Sequence, residues 1–249
     1  MRAWYEMYYD DNIDYVYCAV AKVSCTNWKR TLLMLSGKVA EFQRPAQIPW
    51  RKSHHDDFIR RHIGILVRVP PEYRNWRFKD NRYFTFLFVR EPLERLVSAY
   101  RDKVVEQNAA TDRKIFRRYG HHVTFAQFVR YVLDEHSSGR VLDRHWIPQS
   151  QLCRVCEYRW HFIGHYETMH RDVNYVVSKL KSRIMDSKQR LRVDNIMFPA
   201  QPSHRRKSYD FLQQMFATVP AADVDGLYKL YKMDYLLFGY KHPNITGFI

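Results

Sequence analysis

The stretch YVYCAVAKVSCTNWKRTLLMLSG, residues 15–37, decides how the first part of this chain folds. Its first six residues are apolar and β-favouring, and they predict a short buried strand. Its last part places Trp28, Leu32 and Leu35 on one helical face, with Gly37 where a C-terminal cap belongs. The sequence therefore predicts a strand, a polar loop and a helix.

The loop between this strand and this helix has the chemistry of an anion site. The first N–H groups of a helix are unpaired and carry partial positive charge. Lys22 adds a full charge, and Thr26 is the predicted N-cap, with a hydroxyl to offer. No glycine precedes Gly37, so the loop is not a Walker A loop. A strand, loop and helix that bind nothing remain an alternative at this point.

Composition indicates a globular protein with an acidic partner. The 249 residues suffice for one large α/β domain or two small ones, and 46% hydrophobic residues supply a sizeable core. The formal net charge is +15, from 41 basic minus 26 acidic residues. That charge favours nucleic acid, an anionic membrane surface or an acidic polysaccharide as partner, against the alternative of a solvated basic surface.

Targeting signals are not evident in the chain. No apolar run approaches the roughly 18 residues of a membrane span. The first residues, MRAWYEMYYDDN, resemble neither a signal peptide nor a transit peptide. We expect either a soluble, untargeted protein or a lumenal domain whose anchor lies outside this sequence.

Four cysteines, Cys18, Cys25, Cys153 and Cys156, leave three interpretations open. A C-x-x-C pair with a distant second pair suggests zinc, but the spacing of the first two cysteines matches a zinc knuckle poorly. One or two disulfides are expected in an oxidising compartment, and buried free thiols in the cytosol.

A second strand, loop and helix follows in YFTFLFVREPLERLVSAY. Residues 83–89 are apolar on both faces, as in a central parallel strand. Arg90 stands at its carboxyl end, and Glu91 and Pro92 begin a helix, with Glu91 as its expected N-cap and a ligand contact as the alternative. Ser98 lies off the apolar stripe of that helix. Ligands of open parallel sheets bind beyond the carboxyl ends of the strands, so this loop is a second candidate anion site.

The other predicted elements are less informative about function. Residues 38–82 are basic and irregular, and Pro70–Pro71 is expected to break any helix there. The remaining predictions are a strand end at 161–164 and helices over 125–133, 167–180, 209–217 and 221–238.

Two motifs identify a family. AKVSCTNWKRTLLMLSG resembles the 5′-phosphosulfate loop, and FLFVREPLERLVSAYRDK the 3′-phosphate motif, of Golgi carbohydrate sulfotransferases. The matching subfamily contains the chondroitin 4-O-, dermatan 4-O-, HNK-1 and GalNAc-4-O-sulfotransferases. The resemblance continues through DRHW, LCRVC, FIGHYET and YKMDYLLFGY and covers about residues 14–240.

This resemblance implies a fold, a donor and a reaction. The fold is a P-loop-like three-layer α/β fold with a central, mostly parallel sheet flanked by helices, in a single domain over 1–249. The sulfuryl donor is 3′-phosphoadenosine 5′-phosphosulfate (PAPS), with no metal. Such an enzyme transfers the sulfuryl group to a glycan hydroxyl.

The resemblance also implies roles for individual residues. Lys22 is expected to stabilise the departing 5′-phosphate, with help from Asn27 and Lys29. For the general base we favour His145, in DRHW, over His55; a hydrogen bond from His145 to a core carbonyl is the alternative. The implied donor-binding residues are Lys22, Val23, Ser24, Cys25, Thr26, Asn27 and Trp28 for the 5′ end, and Arg90, Glu91, Pro92 and Ser98 for the 3′ end.

The implied partner is an acidic glycan of the chondroitin, dermatan or GalNAc type, not nucleic acid. The implied location is the lumenal side of the Golgi membrane, reached through an anchor that this chain does not contain. Two departures from the family pattern stand out: Ala21 replaces the usual proline, and 120–125 is short, so the acceptor groove is expected to differ. The candidate groove residues are Arg51, Lys52, Arg60, Arg61, the run 113–118, Arg205, Arg206 and Lys207.

Two other functions remain open from the residues alone. A P-loop-like kinase would need ATP and magnesium, and the missing Walker pattern argues against it. A non-catalytic module that binds acidic polymers would rest only on charge.

Overall fold

The computed structural model describes residues 6–106, 113–193, 198 and 205–241. The chain divides into two compact units, one of Met1–Val89 with Cys153–Gln201, the other of Arg90–Leu152 with Pro202–Ile249. We call them the sheet unit and the helical unit. The single domain expected from the sequence stays a prediction.

The sheet unit contains a five-stranded sheet of mixed direction. The strands are β1 (Met7–Asp10), β2 (Tyr15–Cys18), β3 (Gly64–Ile65), β4 (Phe84–Val89) and β5 (Phe162–His165), in the order β3-β1-β2-β4-β5. β2, β4 and β5 pair in parallel, while β1 is antiparallel to both of its neighbours. Four strands therefore share one direction. The predicted mostly parallel α/β sheet is confirmed.

Helices connect and cover these strands. In chain order they are α1 (Cys25–Leu35), α2 (Trp50–His54), α3 (Asp56–Arg60), α4 (Pro71–Lys79), α5 (Pro92–Tyr100), α6 (Arg113–Tyr119), α7 (Phe125–Ser137), α8 (Gln149–Leu152), α9 (Met169–Lys181), α10 (Ser187–Val193), α11 (Arg205–Phe216) and α12 (Ala221–Phe238). The prediction of an irregular 38–82 is wrong. Pro70 and Pro71 occupy the N-cap and first position of α4, where a proline has no hydrogen bond to lose.

The predicted central strand and first helix pack as expected. Every residue of β4 is buried, and Trp28, Leu32 and Leu35 of α1 are fully buried. The Trp28 ring lies 4.8 Å from the ring of Phe88 and 5.2 Å from that of Phe86, measured between centroids. This aromatic contact fixes α1 on one face of the sheet, and it thereby fixes where the helix begins.

A disulfide joins Cys18, the last residue of β2, to Cys153, with an S–S distance of 2.05 Å. For this pair the disulfide interpretation is confirmed, and both zinc and free thiols are excluded. Cys25 and Cys156 are free. The disulfide ties the strand that leads into the first loop to a segment 135 residues further along the chain.

The helical unit is built around aromatic side chains. The rings of Phe128 and Trp146 meet edge to face at 5.3 Å, and those of Phe125 and Phe216 at 5.1 Å. The predicted helix over 221–238 is confirmed as α12, whereas α7 runs four residues beyond its predicted end. Among the helices that the structure describes, none is long and apolar enough to cross a membrane.

Candidate functional site

The loop between β2 and α1 has an unusual backbone. Lys22 and Ser24 both lie in the left-handed region, with φ of 68° and 59°, where residues other than glycine are uncommon. Ser24 is the N-cap of α1, and its carbonyl oxygen accepts the first helical hydrogen bond, from the N–H of Trp28 at 3.1 Å. The prediction that Thr26 is the N-cap is therefore wrong, because the helix begins at Cys25.

This geometry presents a set of hydrogen-bond donors. The N–H groups of Cys25, Thr26 and Asn27 precede the first intrahelical bond and have no acceptor within the helix. The helix dipole adds partial positive charge at the same end, and the half-buried Lys22 belongs to the same loop. Phosphate and sulfate oxygens only accept hydrogen bonds, so this donor set suits a phosphate or sulfate group.

Two predicted contact residues of the loop have side chains that point into the core. Val23 and Trp28 are both fully buried. Neither side chain offers a donor at the loop surface. Their burial holds the loop against the core on either side of its polar residues. Asn27 lies at the surface side, and its amide donates to the Ser24 hydroxyl oxygen at 3.3 Å.

Lys29, expected to assist at the loop, is turned the other way. Its side chain is 1% exposed, and its ammonium donates to the Glu6 carboxylate at 2.6 Å. The same ammonium lies 5.2 Å from the centre of the Tyr8 ring. Its position one turn into α1 directs it toward β1, so the expectation that it assists at the loop is wrong.

A histidine that sequence reasoning missed lies against the loop. The Nε2 atom of His54, the last residue of α2, is 2.9 Å from the Thr26 hydroxyl oxygen. The neighbouring His55 is exposed and serves as N-cap position of α3, without a side-chain cap bond. The sequence offers two adjacent histidines, His54 and His55. Which of them faces the loop depends on the register of the five-residue helix α2, and a local pattern does not specify that register.

In the helical unit, the Arg90 backbone is held by a chain of buried polar groups. The Gln149 side-chain amide accepts from the Arg90 N–H at 3.0 Å and donates to the Arg90 carbonyl at 2.8 Å. The carboxylate of Asp234 accepts from the N–H groups of Gln149 and Ser150 at 2.7 and 2.8 Å. Gln149 and Asp234 were not predicted, because their partners are 59 and 85 residues away in sequence.

The side chains around Arg90 are also ordered. The guanidinium of Arg90 pairs with Glu94 at 3.1 Å and is 12% exposed. Glu91 is the N-cap of α5, as predicted: its carboxylate accepts from the Glu94 N–H at 2.6 Å and from the Tyr235 hydroxyl at 2.6 Å. Burial raises the pKa of Glu91 although the bond from Tyr235 opposes that shift. Ser98 lies half-buried on the same helix.

Pro92 is the first residue of α5 and is buried. Its ring fixes the backbone dihedral that a first helical residue needs, and its missing N–H is one that the helix would leave unpaired. Together with the Glu91 cap, it fixes where α5 begins, two residues after Arg90.

His145, the favoured base, forms a dyad with an aspartate. Its Nδ1 lies 2.6 Å from the Asp143 carboxylate, which also accepts from the His145 N–H. Burial lowers the pKa of His145 below its ordinary 6.5, against the opposing effect of Asp143, so the ring is neutral at neutral pH. The segment is held by Arg95, a 1% exposed side chain that donates to the carbonyls of Arg144 and Ile147.

A parallel strand, a donor-rich loop and a helix N-terminus define an α/β protein with a candidate anion site at the carboxyl end of β2. The model of the sulfotransferase family matches residues 5–241, and the chain belongs to that family. The resemblance read from the two motifs is confirmed.

Individual relatives support the same assignment. Carbohydrate sulfotransferase 14 of Danio rerio is 33% identical over 252 residues, which cover 95% of this chain and 62% of that protein. Carbohydrate sulfotransferase 11 of Rattus norvegicus is 33% identical, over 94% and 67% of the two chains. Carbohydrate sulfotransferase 8 of Homo sapiens is 31% identical, over 95% and 56%. The chain thus spans between 56% and 67% of the length of these relatives, and no solved structure matches it significantly.

Proposed function

We propose that this protein is a carbohydrate O-sulfotransferase that takes a sulfuryl group from PAPS and transfers it to a hydroxyl of an acidic glycan. The observation that carries the proposal is the donor-rich loop of Lys22 to Asn27 at the N-terminus of α1, in a chain of the sulfotransferase family. The direct test is incubation with radiolabelled PAPS and a panel of glycosaminoglycans, followed by disaccharide analysis. Salt-sensitive polymer binding without label transfer would favour the non-catalytic alternative.

Bound PAPS supplies an activated sulfuryl group, and the residues of the loop would stabilise the charge that its transfer leaves behind. Lys22 and the N–H groups of Cys25, Thr26 and Asn27 would neutralise the 5′-phosphate oxygen as its bond to sulfur breaks. Val23, Ser24 and Trp28 hold these donors in place through the buried side chains and the N-cap already described.

At the other end of the donor, Arg90 and Ser98 would bind the 3′-phosphate. Arg90 offers a charged, forked set of donors, and its backbone is immobilised by Gln149. Glu94 holds the guanidinium in one orientation. Arg90 would distinguish PAPS from nucleotides that have no 3′-phosphate, because only a 3′-phosphate would gain this charge-assisted contact.

Arg90→Ala is expected to weaken binding of adenosine 3′,5′-bisphosphate by about 10- to 150-fold, the range for one charge-assisted contact. Binding of adenosine 5′-phosphate, which has no 3′-phosphate, should change less than threefold. Isothermal titration of both nucleotides measures the difference. Arg101→Ala, which removes an exposed arginine directly after the end of α5, is the matched control. An equal loss for both nucleotides would contradict a 3′-phosphate contact.

For the general base we now propose His54, with His145 as the second candidate. The Thr26 hydroxyl that contacts His54 belongs to the proposed phosphosulfate loop. When PAPS binds, this hydroxyl would instead bond an oxygen of PAPS, which would leave Nε2 of His54 facing the sugar acceptor. A neutral imidazole there can take the proton of the sugar hydroxyl as the new oxygen–sulfur bond forms. His145 remains the second candidate because Asp143 bonds its ring. Among the described residues, His55 has no comparable contact with the loop or with a carboxylate.

The acidic acceptor is supported by charge. A cavity of about 640 Å³ in the helical unit, between α6 and α7, is lined by basic side chains. Arg118 and Arg140 there pair with Asp134 and Glu135, while Lys114 and Arg117 add positive charge. The basic run 113–118, named from the sequence, lines this cavity in part. The candidate groove residues 205–207 have side chains outside those that the structure describes.

Arg117→Glu is expected to raise the KM for a chondroitin polymer about fivefold at low salt, with little effect on kcat, because a surface charge mainly affects association. The dependence of KM on ionic strength should become shallower. Initial rates at 20–200 mM salt, about one decade of ionic strength, test this. Lys179→Glu, the same charge change on α9, is the control. Equal effects of both variants would mean that net charge alone acts.

The location that we propose is the Golgi lumen. The Cys18–Cys153 disulfide supports it, because disulfides persist in oxidising compartments. The sequon at Asn244 falls outside the described residues.

A further inference from the structure

A large aromatic side chain is exposed next to the proposed base. Trp50, the first residue of α2, has 55% of its surface exposed, although tryptophan is usually a well-buried residue. Because Trp50 and His54 are one helical turn apart, they share a face of α2. The centroids of their rings lie 6.1 Å apart with the planes at 60°.

The exposed ring is therefore one contact away from the phosphosulfate loop. Trp50 touches His54, and His54 in turn lies 2.9 Å from the Thr26 hydroxyl at the N-terminus of α1. A molecule resting on Trp50 would extend toward the atom that we propose as proton acceptor. The position of Trp50 beside His54 therefore indicates a binding role for the exposed ring.

One basic side chain contacts the same ring, and others follow closely in sequence. The Arg51 guanidinium carbon lies 5.8 Å from the centre of the Trp50 ring. Lys52 is 44% exposed on the same short helix, and the exposed Arg60 and Arg61 follow in and after α3. An aromatic face with a cation against it, and with further basic residues on the same and the next helix, suits a ligand with both an apolar ring face and negative groups.

Uronic-acid-containing sugars have both features. The axial C–H groups of a pyranose form an apolar face with slightly positive hydrogens, which is attracted to the negative face of an indole ring. The carboxylate or sulfate groups at the edge of such a sugar would meet Arg51 and Lys52. Inorganic phosphate would use the cation but not the ring face, whereas a nucleotide base would also stack on the ring, so the tests below measure the donor nucleotide separately from the glycan.

We infer that Trp50 is the stacking platform for a pyranose ring of the acidic glycan acceptor, and that it positions the acceptor hydroxyl for His54. This inference rests on the proposed function and adds a specificity-determining residue to it. It assigns to this chain a sugar subsite on α2, formed by Trp50 with Arg51.

Trp50→Ala should raise the KM for the glycan acceptor about tenfold and leave the KM for PAPS within twofold. Trp50→Phe, which keeps an aromatic face, should recover most of the loss. Tyr73→Ala is the matched control, since Tyr73 is 58% exposed on α4 of the same unit. Unchanged acceptor KM in Trp50→Ala, or an equal rise in Tyr73→Ala, would overturn the inference.

A binding measurement separates this inference from the proposed function. A chondroitin hexasaccharide titrated with adenosine 3′,5′-bisphosphate present should change the tryptophan fluorescence of the wild type. The change should disappear in Trp50→Phe, while calorimetry still detects binding. Loss of binding in Trp50→Ala supports the sugar subsite even if no labelled sulfate is transferred, a result that would refute only the enzymatic proposal. Hexasaccharide binding that is equal in wild type and Trp50→Ala, or absent from the wild type, overturns the inference.

Discussion

Replacing His54 with asparagine is expected to lower kcat by about 10²- to 10⁴-fold, the usual contribution of a general base. Asparagine removes the proton acceptor and is too short to replace Nε2 at the Thr26 hydroxyl, but the N–H donors and Lys22 of the loop stay in place. The KM for PAPS should therefore change less than threefold. Steady-state kinetics with labelled PAPS measure both constants.

The pH profile gives this prediction its sharpest form. A base must be neutral to accept a proton, so wild-type kcat falls as pH decreases and the base becomes protonated. The remaining activity of His54→Asn should lose that acidic limb. His55→Asn is the matched control, because His55 is adjacent in sequence but exposed.

His145→Asn decides between the two candidates. If His54 is the base, loss of the Asp143–His145 pair affects the stability of its segment more than the pH profile. If His145→Asn instead abolishes the acidic limb while His54→Asn retains it, His145 is the base. The lowered pKa of His145 would then place the acidic limb below pH 6.5.

The sequence predicted those features that depend on local pattern. The buried strand β4 was evident because all its residues are apolar, and α12 because its apolar residues recur with helical spacing. Glu91 was recognised as an N-cap because it directly precedes a proline at the first helical position. Each of these signals lies within one turn or one strand.

What the sequence could not predict depends on distant partners or on register. β1 was missed because MYYD is short and carries an acidic end, and it is a strand only through its neighbours β2 and β3. The start of α1 was misplaced by two residues because Ser24 adopts a left-handed backbone that a serine rarely takes. Lys29 was misassigned because its partner Glu6 directly precedes β1, 23 residues earlier in the sequence.

The buried carboxylate of Asp234 should be essential for the stability of the helical unit. Asp234 has no exposed surface and accepts the first two N–H groups of α8. Asp234→Ala leaves these two donors buried without an acceptor, at about 1–3 kcal/mol each. We expect the free energy of unfolding to fall by about 3–5 kcal/mol. Urea denaturation with the slope m compared between variants measures it.

Asp234→Ala should also loosen the Arg90 backbone. Asp234 bonds the Gln149 N–H, and the Gln149 side chain bonds both the N–H and the carbonyl of Arg90. Molecules that remain folded should bind adenosine 3′,5′-bisphosphate more weakly, while adenosine 5′-phosphate binding is spared. Asp225→Ala, which removes an exposed carboxylate paired with Lys229 on the same helix, should cost less than about 1 kcal/mol. Asp234→Asn keeps one oxygen acceptor and should lie between the two. Equal stability of the Asp234 and Asp225 alanine variants would mean that α8 holds its position without this carboxylate, and that Arg90 is positioned by its own pairing with Glu94.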